Sequence, residues 1–302
     1  MHGVIEADMG DKPGLEPDAA VGPVVRAFAA NILDRARTAI TDPGRPSPQA
    51  VHDFRRAIKE WRALMRLLDP FVAEAAHRRA EARDHARSLS HARDGQAALN
   101  AFDDLLDHGL TLSPRSTAMI RGRLEALRAG EEKAVLTSAK RNAIVAWLDG
   151  ARAAIEQWPL DALDFAAIAA CLTAGYRRAR RRIPADWSLA SAGDLHELRQ
   201  RVVDHRHQME LVRPLWPRFA RMWTGEAERL RGRLGQSQDL EVLKRLTGAH
   251  QPLAPWRARL TPACAERSAK LARRAARIAG RLFAERPKAF RQRLEALWEH
   301  GR

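Results

Sequence analysis

The sequence predicts an all-α protein made of two helical bundles related by an approximate internal two-fold. Three observations predict it. Apolar residues recur at helical spacing along most of the chain, as in Phe54, Ile58, Trp61, Met65 and Leu68, which step by four and three. No segment alternates apolar and polar residues as a half-buried strand would. A pattern met at residues 51–70 (VHDFRRAIKEWRALMRLLDP) returns 144 residues later at 195–214 (LHELRQRVVDHRHQMELVRP). His52 then matches His196, Arg55 matches Arg199, Arg62 matches Arg206, Met65 matches Met209, Leu67 matches Leu211 and Pro70 matches Pro214. Composition alone would give about one identity over such a stretch. Arg37 and Arg181 extend the match upstream, each fifteen residues before its histidine, and Asp94 and Asp239 extend it downstream.

In chain order, residues 1–20 are rich in Gly, Pro and acidic side chains and read as a disordered tail. The N-terminal bundle is expected over 21–157 and the C-terminal one over 158–302, with WPLD (158–161) as the boundary. A first helix is predicted over 21–41, with Val25, Phe28, Ile32 and Ile40 on its apolar side, closed by the turn cluster TDPGRPSP. The helix of the repeated motif follows and stops at Pro70. Helices over 71–89, 93–107 and 113–150 complete the first bundle, the last with a break at Gly130. The second bundle is predicted as helices over 162–182, from Asp194 as N-cap to about Pro214, 218–247, 264–285 and 287–299. A turn is expected inside 218–247, around Gly232–Gln236.

The repeated helix carries a second stripe beside its apolar one. His52, Arg55, Lys59, Arg62 and Arg66 step by three and four residues and are all basic. At about 100° per residue the two stripes are centred about 120° apart, so the basic one borders the core. Like charges on adjacent turns repel. A solvated charged face mixes signs, so this pattern reads as one wall of an anion-binding groove.

Net charge supports that reading. Fifty-two Lys and Arg against 37 Asp and Glu give +15, with a pI near 11.1. Such a balance favours polyanionic partners, and the arginine fork fits phosphate oxygens. Nucleic acid is the main rival, yet Trp and Phe fall on apolar stripes, and a stacking platform needs them among the arginines. Cys171 and Cys264 lack C-x-x-C spacing and read as buried small apolar residues. No metal site is expected: position 200 is Gln where H-E-x-x-H needs His, and His205 and His207 lie on different helix faces. Asp94 and Asp239 read as caps near helix starts or as ion-pair partners, ahead of a catalytic role. Without a Walker A loop, a nucleotide fingerprint or a nucleophile–base constellation, no enzyme activity and no cofactor is assigned. No signal peptide or membrane span is visible, so a cytoplasmic protein is expected.

The two motifs, His52-Asp-Phe-Arg55 with Lys59 and Arg62, and His196-Glu-Leu-Arg199 with Arg206, resemble the CHAD family, the conserved histidine α-helical domain. LVRPLWPRF (211–219) and LGQSQDLEVL (234–243) are similar to family sequence as well, and the resemblance covers about residues 20–300. It implies four-helix-type bundles whose basic helices face a shared central groove, and a domain that binds inorganic polyphosphate and concentrates at polyphosphate granules. Carried over by position, the binding residues are His52, Arg55, Lys59, Arg62, Arg66, His196, Arg199 and Arg206. Arg37, Arg141, Arg178 and Arg181 are weaker additions from neighbouring helices. Val203 stands where Lys59 has its counterpart, and Glu210 stands opposite Arg66, so the first bundle should hold the phosphate chain more tightly. The added β-strand tunnel domain of some members is not visible, and no hydrolase activity is implied. Other polyanions, including nucleic acid, are alternative partners.

Overall fold

The structure, a computed structural model, describes residues 12–89, 94–131 and 136–301. Those residues form eleven α-helices and two single-turn 3-10 helices, with no strand among them. The helices are α1 (Val21–Thr41), α2 (Ser47–Leu67), α3 (Ala75–Ser88), α4 (Asp94–Asp107), α5 (Pro114–Glu131) and α6 (Ser138–Ile155). They continue as α7 (Phe165–Arg180), α8 (Ala192–Leu211), α9 (Pro217–Arg245), α10 (Arg257–Leu282) and α11 (Pro287–His300). The all-α fold is therefore as the sequence predicts.

Local chemistry sets the starts. Prolines sit in the first two positions of α2, α9 and α11, where a missing N–H costs nothing. Asp164 caps α7 by accepting from the Ala167 amide at 2.8 Å. At α8 the cap is Ser191 and not Asp194. The Ser191 hydroxyl accepts from the Asp194 amide at 3.1 Å while the Asp194 carboxylate accepts from the Ser191 amide at 3.0 Å, a reciprocal capping box.

Helix order and helix pairing both repeat along the chain. Val21 and Phe165, Ser47 and Ala192, Ala75 and Pro217, Pro114 and Arg257, and Ser138 and Pro287 open helices 142–149 residues apart. Helix α1 packs on α2 and α6 as α7 packs on α8 and α11, and α2 packs on α3 as α8 packs on α9. At the centre α2 packs directly on α8. One difference breaks the parallel: α9 runs unbroken from Pro217 to Arg245 where the first half has two helices, α3 and α4. The turn expected at Gly232–Gln236 is absent because Leu230 and Leu234 stay in helical register and are both buried. Helix α5 likewise runs through Gly130 to Glu131, and residues 132–135 lie outside the described residues.

Both apolar cores draw on residues from either side of position 158. The larger joins α1, α2, α3, α6, α7, α8, α11 and the facing ends of α9 and α10. Phe54, Ile58, Trp61, Met65 and Leu68 are at most 1% exposed, which confirms the apolar stripe of α2. In the same core Tyr176 stacks on Phe290 with ring centres 4.3 Å apart. The smaller core joins α4 and α5 to the other ends of α9 and α10 through Phe102, Leu124, Leu240 and Leu260. Arg267, 4% exposed on α10, closes it with a two-bond grip on Asp104 of α4, at 2.7 and 2.8 Å.

The disordered tail expected over residues 1–20 needs correction for its described part. The Leu15 side chain is fully buried, and its amide donates to the Leu211 carbonyl at 2.8 Å. Burying that side chain contributes about 2 kcal/mol, enough to hold a Pro- and Gly-rich segment down. Residues 1–11 lie outside the described residues.

Two predictions follow from this packing. Arg267→Ala leaves the Asp104 carboxylate without its partner and should lower unfolding free energy by about 3–5 kcal/mol, measured by urea denaturation. The second concerns His205 and His207, whose burial pushes both down to about 3. Both are neutral in the fold, while the unfolded chain takes up protons below about 6.5. Stability should therefore fall as pH drops from about 6.5, by about 1.4 kcal/mol per pH unit per histidine. Asp239, pushed up to about 6 by burial, works in the opposite direction over pH 6 to 4. Melting temperatures between pH 7 and 5 should thus decline in the native chain and decline less steeply in His205→Leu; parallel slopes would contradict the assignment.

Candidate functional site

The α2–α8 contact is polar at its centre. The Gln208 side-chain amide donates to the Ala63 carbonyl at 3.0 Å, with both groups buried. Gly175 of α7 makes room for that glutamine: a Cβ there would stand 2.6 Å from Gln208 Oε1. Beside it Glu60 is 3% exposed and pairs with Arg35 of α1 at 2.7 Å. Burial by itself would raise the Glu60 carboxyl, but the charges of Lys12 and Arg35 hold it below the ordinary carboxylate value. An isolated buried carboxylate would be costly; this one is matched by cations from α1 and the N-terminal segment.

A second carboxylate, Asp204 of α8, has a different setting. Arg66 of α2 approaches it at 2.9 Å and Arg201 at 3.6 Å. Arg62 and Arg178 also act on it, so four arginines from α2, α7 and α8 bear on one acid. Burial pushes the Asp204 carboxyl up against their pull. The cations crowd one another too. Burial, and then the charges of Arg83, Arg79 and Arg87 on α3, push Arg62 below its ordinary value; burial, Arg201, Arg79 and Arg62 do the same to Arg66. Guanidinium groups stay protonated regardless, so the outcome is a concentrated positive field. The Nε atoms of Arg62 and Arg199 are buried without a hydrogen-bond partner among the described residues, whereas those of Arg66 and Arg206 face the carboxylates of Asp204 and Glu228.

The stripe on α8 meets acids of α9. Arg206 pairs with Glu228 of α9 at 3.2 Å, and Arg231 donates to the same carboxylate at 2.8 Å. Burial pushes Arg199 down, with Arg231 adding to it and Asp239 and Glu228 opposing. His196 is exposed, its ring nitrogens 2.6 Å from the side-chain amides of Gln200 and Gln238. Glu210, opposite Arg66 in the repeat, faces Arg213 at 4.0 Å. On α2, His52 and Lys59 are exposed and Arg55 is half-buried. Lys59 and Arg206 both act on His207, so the two stripes approach each other there.

The four weaker candidates divide. Arg178 joins the field around Asp204. Arg181 is exposed at the end of α7. Arg37 pairs with Asp149, and Arg141 donates to the Ile40 carbonyl at 2.6 Å, so both tie α1 to α6. Sequence reasoning missed Arg79, Arg83 and Arg87, although their spacing of four already made a stripe on α3. It also missed Arg201, which lies on the face of α8 away from the motif, and Lys12. Asp94 opens α4 and pairs with Arg245 at 3.4 Å, an ion-pair role as expected. Asp239 is not near a helix start: it lies well inside α9.

Among the described residues no group of three or more His, Cys, Asp or Glu side chains could hold a metal ion. Cys264 is buried, and burial pushes its thiol up to about 12; Cys171 is half-buried and also raised. None of the described helices is long and apolar enough to cross a membrane.

Comparison with known proteins gives the lineage. A solved structure, the CHAD domain from the plant Ricinus communis, superposes with a TM-score of 0.50 over 95% of each chain, at 18% identity. That likeness concerns the fold. No curated protein matches the chain. The family model of the CHAD domain matches residues 24–248, and with most of the 302 residues covered, the chain belongs to the CHAD domain family.

Proposed function

We propose that the chain binds inorganic polyphosphate along the basic stripes of α2 and α8, with α3 as a further wall, and through this associates with polyphosphate granules. The observation that carries the reading is the convergence of Arg62, Arg66, Arg178 and Arg201 on the single acid Asp204. A flexible chain with about one negative charge per phosphate and no bases needs repeated charge-assisted donors and no stacking surface. Arginines fixed on packed helices provide those donors with little ordering cost. His52, Arg55, Lys59, Arg62, Arg66, His196, Arg199 and Arg206 are the proposed ligands, joined by Arg178 and the α3 arginines. The crowding of Arg62 and Arg66 by Arg79, Arg83 and Arg87 around the one acid Asp204 makes the α2 side the tighter wall. Binding is the whole activity in this reading, without turnover of the chain.

Two measurements test it. Long-chain polyphosphate and duplex DNA should compete for the protein in fluorescence anisotropy with polyphosphate preferred, and affinity should fall steeply as salt rises. Equal or stronger DNA binding would put the nucleic-acid alternative first. Arg62→Ala and Arg199→Ala should each weaken polyphosphate binding by about 1–3 kcal/mol with the thermal transition retained. A variant that loses its fold and keeps its affinity per folded molecule would make the stripe structural.

A further inference from the structure

Helix α10 carries a basic face of its own. Lys270, Arg273, Arg274 and Arg277 are all exposed and, with Ala276, line one shallow concavity of about 460 Å³. Their spacing places them on adjacent turns of one face. The opposite face, with Leu271, Ala275, Ile278, Ala279 and Leu282, is buried. Lys270 is paired with Glu266 at 2.6 Å, but Arg273, Arg274 and Arg277 have no carboxylate partner among the described residues. Three neighbouring guanidiniums without counter-charge repel each other, and nothing in the packing of α10 calls for them.

The concavity is lined without any aromatic ring or large apolar side chain. No ring is there to stack on a base and no large apolar side chain to enter a membrane, so the face is matched to phosphate groups alone, and the bare phosphate polymer proposed for α2 and α8 fits it. Helix α10 packs mainly on α9 and does not pack on α2 or α8 as a neighbour, so its outer face is a surface distinct from the α2–α8 stripes.

We propose that the outer face of α10 is a second phosphate-chain site, which makes the protein bivalent and able to bridge two polyphosphate chains or two segments of one. The proposal rests on the reading of α2 and α8 given above. Linking two modest sites raises apparent affinity for a long chain without any new contact, and joins separate chains at high protein density.

Tripolyphosphate, too short to span both faces, serves as the calorimetric probe. The native chain should bind two per molecule, and Arg273→Glu/Arg274→Glu/Arg277→Glu should bind one. The same variant should lose the turbidity formed with long-chain polyphosphate and weaken long-chain affinity on the order of a hundredfold. These side chains are exposed, so its melting temperature should match the native value. Arg55→Glu/Arg62→Glu should keep the α10 equivalent alone. One tripolyphosphate per native chain, lost in Arg55→Glu/Arg62→Glu and kept in the α10 variant with turbidity intact, overturns the second site and leaves the first standing. Absence of binding by the native chain overturns both.

Discussion

Everything in the molecule is arranged about a polar contact in the middle of an apolar core, where α2 meets α8. Gln208 reaches across to the Ala63 carbonyl, Arg66 reaches Asp204, and Glu60 is matched from α1 by Arg35. A contact of leucines alone would be simpler and would allow the helices to slide. Directional bonds of this kind fix one register, because any shift leaves a buried polar group unpartnered. The cationic stripes depend on that register. They border the buried faces of the same helices, so locking α2 on α8 also fixes how their guanidiniums face each other.

The two acids at this contact divide the electrostatics unequally. Glu60 is matched locally and kept ionised, whereas Asp204 faces more positive charge than it can neutralise while burial opposes its own ionisation. On α8 Arg206 pairs with Glu228 of the neighbouring helix, and the same acid acts on Arg199. The positive field is therefore concentrated around Asp204, where arginines of α2, α7 and α8 meet. An anion entering there supplies what the fold lacks, and the attraction is greater where water is partly excluded.

Much of this was legible in the sequence because both period and repetition were strong. The α2 apolar stripe emerged intact, and the repeat spacing of the motif helices extends to nearly every helix start. Residues that act through long-range packing were less visible. Arg201 and Asp204 lie on the face of α8 away from the motif, and only the approach of α2 gives them a role. Arg37 and Arg141 looked like additions to the groove, but an acid on α6 and a carbonyl on α1 engage them. Glycine spacing suggested a turn at 232–236, yet the leucines on either side keep their helical period and their burial prevails. The Pro- and Gly-rich composition before residue 20 likewise concealed one anchoring leucine.

Helix α9 has a mechanical consequence. Its 29 residues run about 44 Å. Trp223, Ala227, Leu230 and Leu234 belong to the larger core, while Leu240 and Leu243 belong to the smaller one. A rigid beam shared in this way denies the smaller core a life of its own, since melting it would fray the helix that braces the larger. Cooperativity is thus built into covalent continuity. Arg231 and Glu228 sit on the same beam beside the α8 stripe, so the stripe and the α4 end of the molecule are braced by one helix.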